Sequence, residues 1–365
     1  MKALKRLIQF IGEKINQITA FFLYVPDEVL SLSEHKEIVV LKNSIGEFDY
    51  KQLDIPGAAI LKVDTHNVSI LYKGKLVPEV SMQFNGHNIL SDSENTFLLK
   101  KSLPKRRIKK VPGTVISLIS GTNSMYNYYH WLYDALPRLK IIESNRDVNQ
   151  YAKYYVPNIE FKFQKETLDL IGINPDQIIS GKEMPCIRAD EVIVTTQINY
   201  PRKLRPWAVD FLREKFLLHA NSVQFSPFVY ISRGDAPNQR KLLNEKELLD
   251  KLMPLGFESY KLSELSVKDQ ISLFFNATAV VGVHGAGMAN LTFCKPGTVV
   301  FELFSENYQS KTFKSISDYL TLEYHNISTT PTEKYKKSPV FQSIELPEKE
   351  MDHIKKRVDK ILNSI

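Results

Sequence analysis

A histidine and an aspartate four residues apart, His130 and Asp134, sit in the run Asn127-Tyr128-Tyr129-His130-Trp131-Leu132-Tyr133-Asp134-Ala135-Leu136-Pro137-Arg138-Leu139. On a helix starting near Tyr128, that spacing puts both side chains on one face. Neutral imidazole accepts a proton from a hydroxyl, and a carboxylate beside it either orients the ring or takes the proton itself. The same run also suits an aromatic-rich core helix with a hydrogen-bonded histidine. Spacing alone therefore names neither group as the base.

A second candidate is Val280-Val281-Gly282-Val283-His284-Gly285-Ala286-Gly287-Met288-Ala289-Asn290, where a β-branched stretch stops at glycines and small residues follow. The pattern predicts a strand turning into a helix. Glycines let backbone N–H groups approach a ligand, and a helix N-terminus adds about half a positive charge. Such a turn holds a diphosphate without a metal, so a nucleotide or nucleotide-sugar is the expected ligand. Upstream, Arg233 directly follows a strand-like run and can fork two N–H bonds onto phosphate oxygens. Arg240 suits that task or an ion pair with Glu245. Glu302 closes an apolar run, where a carboxylate either bridges ribose hydroxyls or ends a strand at the surface.

These side chains need strands and helices to hold them. Residues from about 36 to 120 read as strands and turns, with Ile38–Leu41, Ala59–Val63 and Val68–Tyr72 as apolar runs and Asn85-Gly86 as a turn. The second half alternates strands with helices. Phe228–Ser232, Thr278–Val283 and Thr298–Leu303 are the strands; Asn244 with Glu247, and Ser266 with Asp269, are helix-start signals, and Gly256 is a stop. That alternation predicts a parallel sheet covered on both faces, with ligands beyond the carboxyl ends of its strands. Ser232, His284 and Glu302 fall there. After Pro347, Met351, Ile354, Val358, Ile361 and Ile365 recur at helical steps.

Composition suits a folded protein of two domains: 365 residues, 43% hydrophobic and 24% charged. The 48 basic against 41 acidic residues leave a net charge of +7, which favours anionic partners without choosing among them. A basic run includes Lys100, Lys101, Lys105, Arg106, Arg107, Lys109 and Lys110, but no module for nucleic acid accompanies it, so none is expected. Cys186 and Cys294 are too few for a disulfide framework. No run reaches the ~20 continuous apolar residues of a spanning helix. Residues 1–25 mix Lys2, Lys5, Arg6 and Lys14 with regularly spaced Leu and Ile, an amphipathic helix suited to a membrane interface or to the protein's own body.

Together, Asn127–Leu139, Tyr230–Leu248 and Val280–Leu303 resemble the family 61 glycosyltransferases over roughly residues 120–325. The resemblance implies an α/β fold of GT-B architecture: two Rossmann-like domains facing across a cleft, with a β-rich N-terminal portion. With the residue patterns at either end, the expected division is a helix over 1–25, an acceptor-side domain over 26–205, a nucleotide-sugar domain over 206–330 and a tail over 331–365 whose helix packs back on the first domain. The resemblance further implies inversion at the anomeric carbon with neither metal nor cofactor, a nucleoside-diphosphate sugar (UDP first) as donor and a glycan as acceptor. Arg233, Arg240 and the turn His284-Gly285-Ala286-Gly287 would neutralise the diphosphate, with Asn290 supporting the turn. Glu302 would hold the ribose, and His130 or Asp134 would deprotonate the acceptor.

A cytoplasmic enzyme of surface or capsular polysaccharide synthesis, touching the membrane through residues 1–25, is the resulting expectation. Two other readings compete. An S-adenosylmethionine methyltransferase could use Gly282, Gly285 and Gly287, although several strands precede that loop and the upstream arginines suit phosphate better. A catalytically inactive binder of nucleotide-sugar or glycan needs only the phosphate clamp.

Overall fold

β-Branched and aromatic runs form two separate sheets, one in each of two units of the chain. The computed structural model describes residues 30–45, 47–62, 68–81, 108–119, 126–148, 151–156, 158–198, 203–221, 225–234, 240–331 and 342–363. The helix expected over 1–25, the Asn85-Gly86 turn and Lys100 to Arg107 lie outside the described residues. One unit comprises Met1–Phe161 and Ile173–Tyr200, the other Lys162–Gly172 and Pro201–Ile365. The chain passes between the units at Tyr200/Pro201, and the short segment Lys162–Gly172 belongs to the second.

The first unit carries β1 (Val39–Ile45), β2 (Phe48–Pro56), β3 (Ala59–Lys62), β4 (Val68–Tyr72), β5 (Lys75–Leu76), β6 (Lys109–Ser117), β7 (Lys153–Val156), β8 (Ile178–Ser180) and β9 (Cys186–Thr195). β9 is central. One of its edges pairs antiparallel with β3 and then β2, and the other pairs parallel with β6, which continues in parallel to β7 and β8. Only β9-β6-β7-β8 therefore follows a Rossmann-like plan; the strands read in the β-rich N-terminal portion pair antiparallel. Leu53, Ile60, Ile70, Val115, Ile187 and Val192 fill its core. Past β6 come α1 (Tyr128–His130), a π-turn over Trp131–Ala135 and α2 (Arg138–Glu143).

In the second unit, helices α3 (Lys162–Leu170), α4 (Pro206–Phe216), α5 (Glu245–Leu252), α6 (Val267–Phe275), α7 (Thr312–Tyr319) and α8 (Glu348–Leu362) accompany one sheet. Its strands are β10 (Phe228–Ile231), β11 (Phe257–Tyr260), β12 (Ala279–Val283), β13 (Val299–Ser305), β14 (Glu323–Pro331) and β15 (Ile344–Glu345), in the order β11-β10-β12-β13-β14-β15. All pair in parallel except β15. Chain progression reverses direction between β10 and β12, the position where parallel sheets open a crevice for ligands.

The helix-start signals have different outcomes. Ser266 caps α6 by accepting from the Asp269 N–H at 3.1 Å. α5 does start at Glu245, but the Asn244 side chain is spent elsewhere, exchanging hydrogen bonds with the Leu346 N–H and carbonyl at 3.0 and 2.9 Å. Gly256 ends the turn after α5 at φ 90°, a left-handed conformation that glycine adopts without penalty. The C-terminal helix corrects an expectation. Met351, Ile354, Val358 and Ile361 of α8 join the core of the second unit with Leu248, Phe257, Val281 and Phe301. The apolar stripe was legible, but its target is the sheet that precedes it in sequence.

Replacing Ile354, which is fully buried, with alanine removes a methylene-rich side chain from that core. Urea unfolding of Ile354→Ala should report a loss of roughly 2–5 kcal/mol. α8 is also tied to β14 through Arg357, whose Nε donates to Glu323 at 2.6 Å. Arg357 lowers the Glu323 pKa to about 2 from 4.5. This depressed carboxylate contributes stability above about pH 4.5 that is lost as pH falls toward 2. The pair is partly exposed, so Arg357→Met should cost less than about 1 kcal/mol at pH 7, and the cost should shrink as pH falls through the folded pKa of about 2.

Candidate functional site

β10 and β12 lie side by side with Ile231 opposite Gly282, so Arg233 and His284 emerge together at the carboxyl edge of the sheet. Arg233 Nε donates to the Arg240 carbonyl at 3.1 Å. Its Nη1 fills the space beside Gly285: a Cβ there would lie 1.7 Å away. Gly285 has an extended backbone, φ 174°, which any residue adopts. The glycine is needed for close approach, not for its torsion angle.

Arg240 is only 6% exposed. It donates from Nη1 to the His284 carbonyl at 2.7 Å, and its guanidinium lies 5.2 Å from the Tyr308 ring centre. Burial lowers its pKa, while Tyr308 and Glu302 oppose that shift. The two arginines thus interlock: one grips the other's carbonyl, and the second grips the turn.

After Gly285 the chain forms a 3-10 helix over Ala286–Phe293 where an α-helix was conceivable. Met288 N–H returns to the Gly285 carbonyl at 2.9 Å, leaving the first-turn N–H groups of Ala286 and Gly287 without intrahelical partners. Asn290, fully buried, donates to the Gly287 carbonyl at 3.2 Å and to Gln270 at 2.9 Å. At the far end, Arg213 of α4 donates to the Thr292 and Cys294 carbonyls at 2.6 and 2.9 Å. The turn is therefore held from both ends. A pocket of about 40 Å³ opens beside Arg233, lined by Tyr230, Gly234, Lys241, Leu242, Glu245 and Val283.

His284 is 8% exposed. Its Nδ1 lies 2.5 Å from Glu302 Oε1, and the Tyr324 hydroxyl donates to Glu302 Oε2 at 2.6 Å. Burial, reinforced by the Glu302 charge, raises the Tyr324 pKa. Glu302 is fully buried with both oxygens occupied, so the expected grip on ribose has no surface to act from. The carboxylate faces inward because His284 and Tyr324 flank it on the neighbouring strands.

In the first unit, Asn127 caps α1 by accepting from the Tyr129 and His130 N–H groups at 3.0 and 3.4 Å. The helix then widens, Leu136 N–H reaching back to the Trp131 carbonyl at 3.1 Å. Pro137 gives the physical reason: it has no N–H for the Tyr133 carbonyl and its ring crowds that group. π-Turns of this kind are frequent at functional sites. His130 and Asp134 share a face as the spacing predicted, with Nδ1 2.6 Å from Asp134 Oδ2. That contact leaves Nε2 as the nitrogen able to accept a proton.

Arg138, one turn further and fully buried, donates from Nε to the Asp134 carbonyl at 3.0 Å. Its Nη1 donates to the Thr195 carbonyl and hydroxyl at 2.8 and 2.9 Å, anchoring the π-turn to the carboxyl end of β9. Burial lowers the Arg138 pKa to about 10 despite the opposing charge of Asp134.

Sequence reasoning missed Tyr324, Tyr308, Gln270 and Arg138. Arg138 stood in the quoted run at the same four-residue step beyond Asp134 and could have been found. The other three carry no local signal.

Residues 128–301 match the family described as Glycosyltransferase 61. Over this segment, just under half of its length, the chain is similar to glycosyltransferase family 61. The match takes in nearly all of the three blocks quoted above. Similar proteins include a beta-1,2-xylosyltransferase of Arabidopsis thaliana, 30% identical over 24% of this chain and 19% of its own. The beta-1,2-xylosyltransferase RCN11 of Oryza sativa subsp. japonica is 31% identical over 33% of this chain and 25% of its own. An EGF domain-specific O-linked N-acetylglucosamine transferase of Gallus gallus is 35% identical over 18% and 13%. The chain thus spans a quarter or less of the length of these family 61 relatives.

Among solved structures, the iron-containing dodecameric glycosyltransferase TibC of enterotoxigenic E. coli overlaps 76% of this chain and 79% of its own. Identity is 10% and the TM-score 0.26, too low to support an argument.

Gly285→Ala should push the Arg233 guanidinium off the turn. Calorimetric titration with inorganic diphosphate is expected to weaken about tenfold, the loss of one charged hydrogen bond of ~1.5 kcal/mol. The melting temperature should stay nearly unchanged, because the displaced atoms are the far end of a flexible side chain.

Proposed function

We propose that this chain transfers a sugar from a nucleoside-diphosphate sugar, UDP-linked in the first instance, to a hydroxyl of a glycan acceptor, with inversion and without a metal. The observation that carries the reading is the Arg233–Gly285 packing at the switch point between β10 and β12. There a guanidinium lies beside the first turn of a 3-10 helix, at the edge where a parallel sheet receives anionic ligands. The cationic work of diphosphate departure then falls on arginine and main-chain donors. Stabilising that charge is the larger share of the catalysis.

Removal of the acceptor proton falls to His130. Its Nδ1 contact with Asp134 fixes the ring, so Asp134 orients the base rather than serving as one. Two units facing across a cleft, in the GT-B manner, would bring the acceptor hydroxyl on His130 up to the donor. Arg240 shapes the turn by holding the His284 carbonyl. Glu302 acts through His284 and not on ribose. A cytoplasmic location, a role in surface polysaccharide synthesis and membrane contact through residues 1–25 complete the proposal. An inactive sugar-nucleotide binder is disfavoured by the intact His130–Asp134 pair.

Calorimetry with UDP should detect binding that survives EDTA and weakens at least tenfold in Arg233→Ala, by about 1.5–3 kcal/mol. No binding of any nucleoside diphosphate would defeat the proposal. Sugar transfer should drop roughly 100- to 10,000-fold in His130→Ala, with UDP affinity kept. Asp134→Asn should fall less, since the imidazole remains. Full activity in both variants would remove the base assignment.

A further inference from the structure

We infer that the cavity at the carboxyl end of β10 seats a pair of ring hydroxyls from the donor, with the Glu245 carboxylate as their acceptor. The inference rests on the transferase reading above and deepens it, giving the rings joined by the diphosphate a place beside Arg233. The cavity measures about 40 Å³ and lies between β10 and the start of α5. At ~10–15 Å³ for each water-sized group it admits about three of them, the edge of a ring with its hydroxyls.

Three polar side chains on its wall are not tied to ion partners or hydrogen-bond acceptors. Glu245 is the first residue of α5, and neither it nor Lys241 forms an ion pair among the described residues. The pairing of Glu245 with Arg240 that the sequence allowed does not form, because Arg240 is drawn to the His284 carbonyl and the Tyr308 ring. Tyr230 lines the same cavity, and its hydroxyl is buried without a hydrogen-bond partner among the described residues. Burial first, and then the Glu245 charge, raise the Tyr230 pKa, so this hydroxyl lies on the Glu245 side of the cavity. A sealed hydroxyl with no partner is costly, and a site awaiting a ligand is one reason for it to persist.

Charge selects the kind of occupant. The diphosphate engages Arg233 in the reading above, which leaves Glu245 and Lys241 to balance each other. Leu242 and Val283 complete the wall without polar side chains. A neutral group offering O–H donors fits this lining, whereas a further phosphate would meet the Glu245 carboxylate. Two neighbouring hydroxyls can donate to one carboxylate, since both of its oxygens accept. Tyr230 is a positioning residue whose hydroxyl steadies Glu245 when the site is filled. A nucleobase would need a flat face to stack on, and the Tyr230 ring is shut in the core with Leu248 and Val281. Two rings joined to the diphosphate carry such hydroxyls: the ribose and the transferred sugar.

Calorimetry on the full chain tests the assignment and separates the two rings. The ligands are inorganic diphosphate, UDP, 2′-deoxy-UDP, UDP-xylose and UDP-N-acetylglucosamine. Glu245→Ala should bind diphosphate at least as tightly as the parent, since Arg233 and the turn are untouched. With the ribose seated, UDP weakens about tenfold in Glu245→Ala, while 2′-deoxy-UDP, already weaker in the parent, changes little. With the transferred sugar seated, UDP is unchanged and the tighter of the two UDP-sugars weakens about tenfold. Either result supports the inference. Tyr230→Phe should weaken the same ligand by less and melt no lower than the parent, because it removes an unpaired buried group. Glu245→Gln carries the test if the alanine variant fails to fold, with a smaller loss. Equal affinities of parent and variant for every ligand, or a loss already complete with diphosphate alone, overturn the inference while the transferase reading stands. A parent chain that binds neither UDP nor a UDP-sugar overturns both.

Discussion

A carboxylate with no access to water governs the chemistry end of the second unit. Glu302 sits on β13, between the strands that supply its two partners. Strand register makes this possible: Gly282 lies opposite Glu302 on one side and Asn326 on the other. Two residues onward from Gly282 is His284, and two residues back from Asn326 is Tyr324. A strand repeats its face every second residue. All three side chains therefore share one face of the sheet and meet under the turn. Shifting any of the three strands by one residue would strand the carboxylate without donors, at a cost of several kcal/mol.

The arginines build outward from that buried anion. Arg240 holds the carbonyl of the histidine that Glu302 holds by its ring, and Arg233 holds the carbonyl of Arg240. What reaches the surface is the last member of this chain, a guanidinium lying where Gly285 has no side chain. The first unit uses a comparable scheme with different parts. Arg138 fastens the π-turn to Thr195 at the end of β9, and the His130–Asp134 pair sits on the turn so fastened. In each unit a buried arginine supports an imidazole whose Nδ1 meets a carboxylate.

Much of this could be read from the residues in order. β-Branched runs located β4, β10, β12 and β13 to within a residue or two at each end, because continuous apolar stretches between turn residues suit buried strands. The His130–Asp134 spacing survived even though the helix is not an α-helix there, since widening by one residue still leaves them on one face. What could not be read depends on partners distant in sequence. Asn244 looked like a helix cap, yet Leu346 competes for its amide and wins. Glu302 read as a ribose ligand or a surface carboxylate, because its alternation places it on a face without saying what covers that face. The stripe on α8 signalled a buried helix, but a stripe names no target.

The segment Lys162–Gly172 packs with the second unit although chain on both sides of it belongs to the first. Glu166 accepts from the Val267 N–H at 2.6 Å, and the Leu170 carbonyl meets the His219 ring at 2.8 Å. A polypeptide leaving the ribosome would therefore make α3 about a hundred residues before the helix it caps. A helix this short is marginal in water alone, so α3 depends on partners that lie later in the chain. Neither unit corresponds to a single uninterrupted stretch of gene, so recombination at one junction could not have exchanged either of them intact.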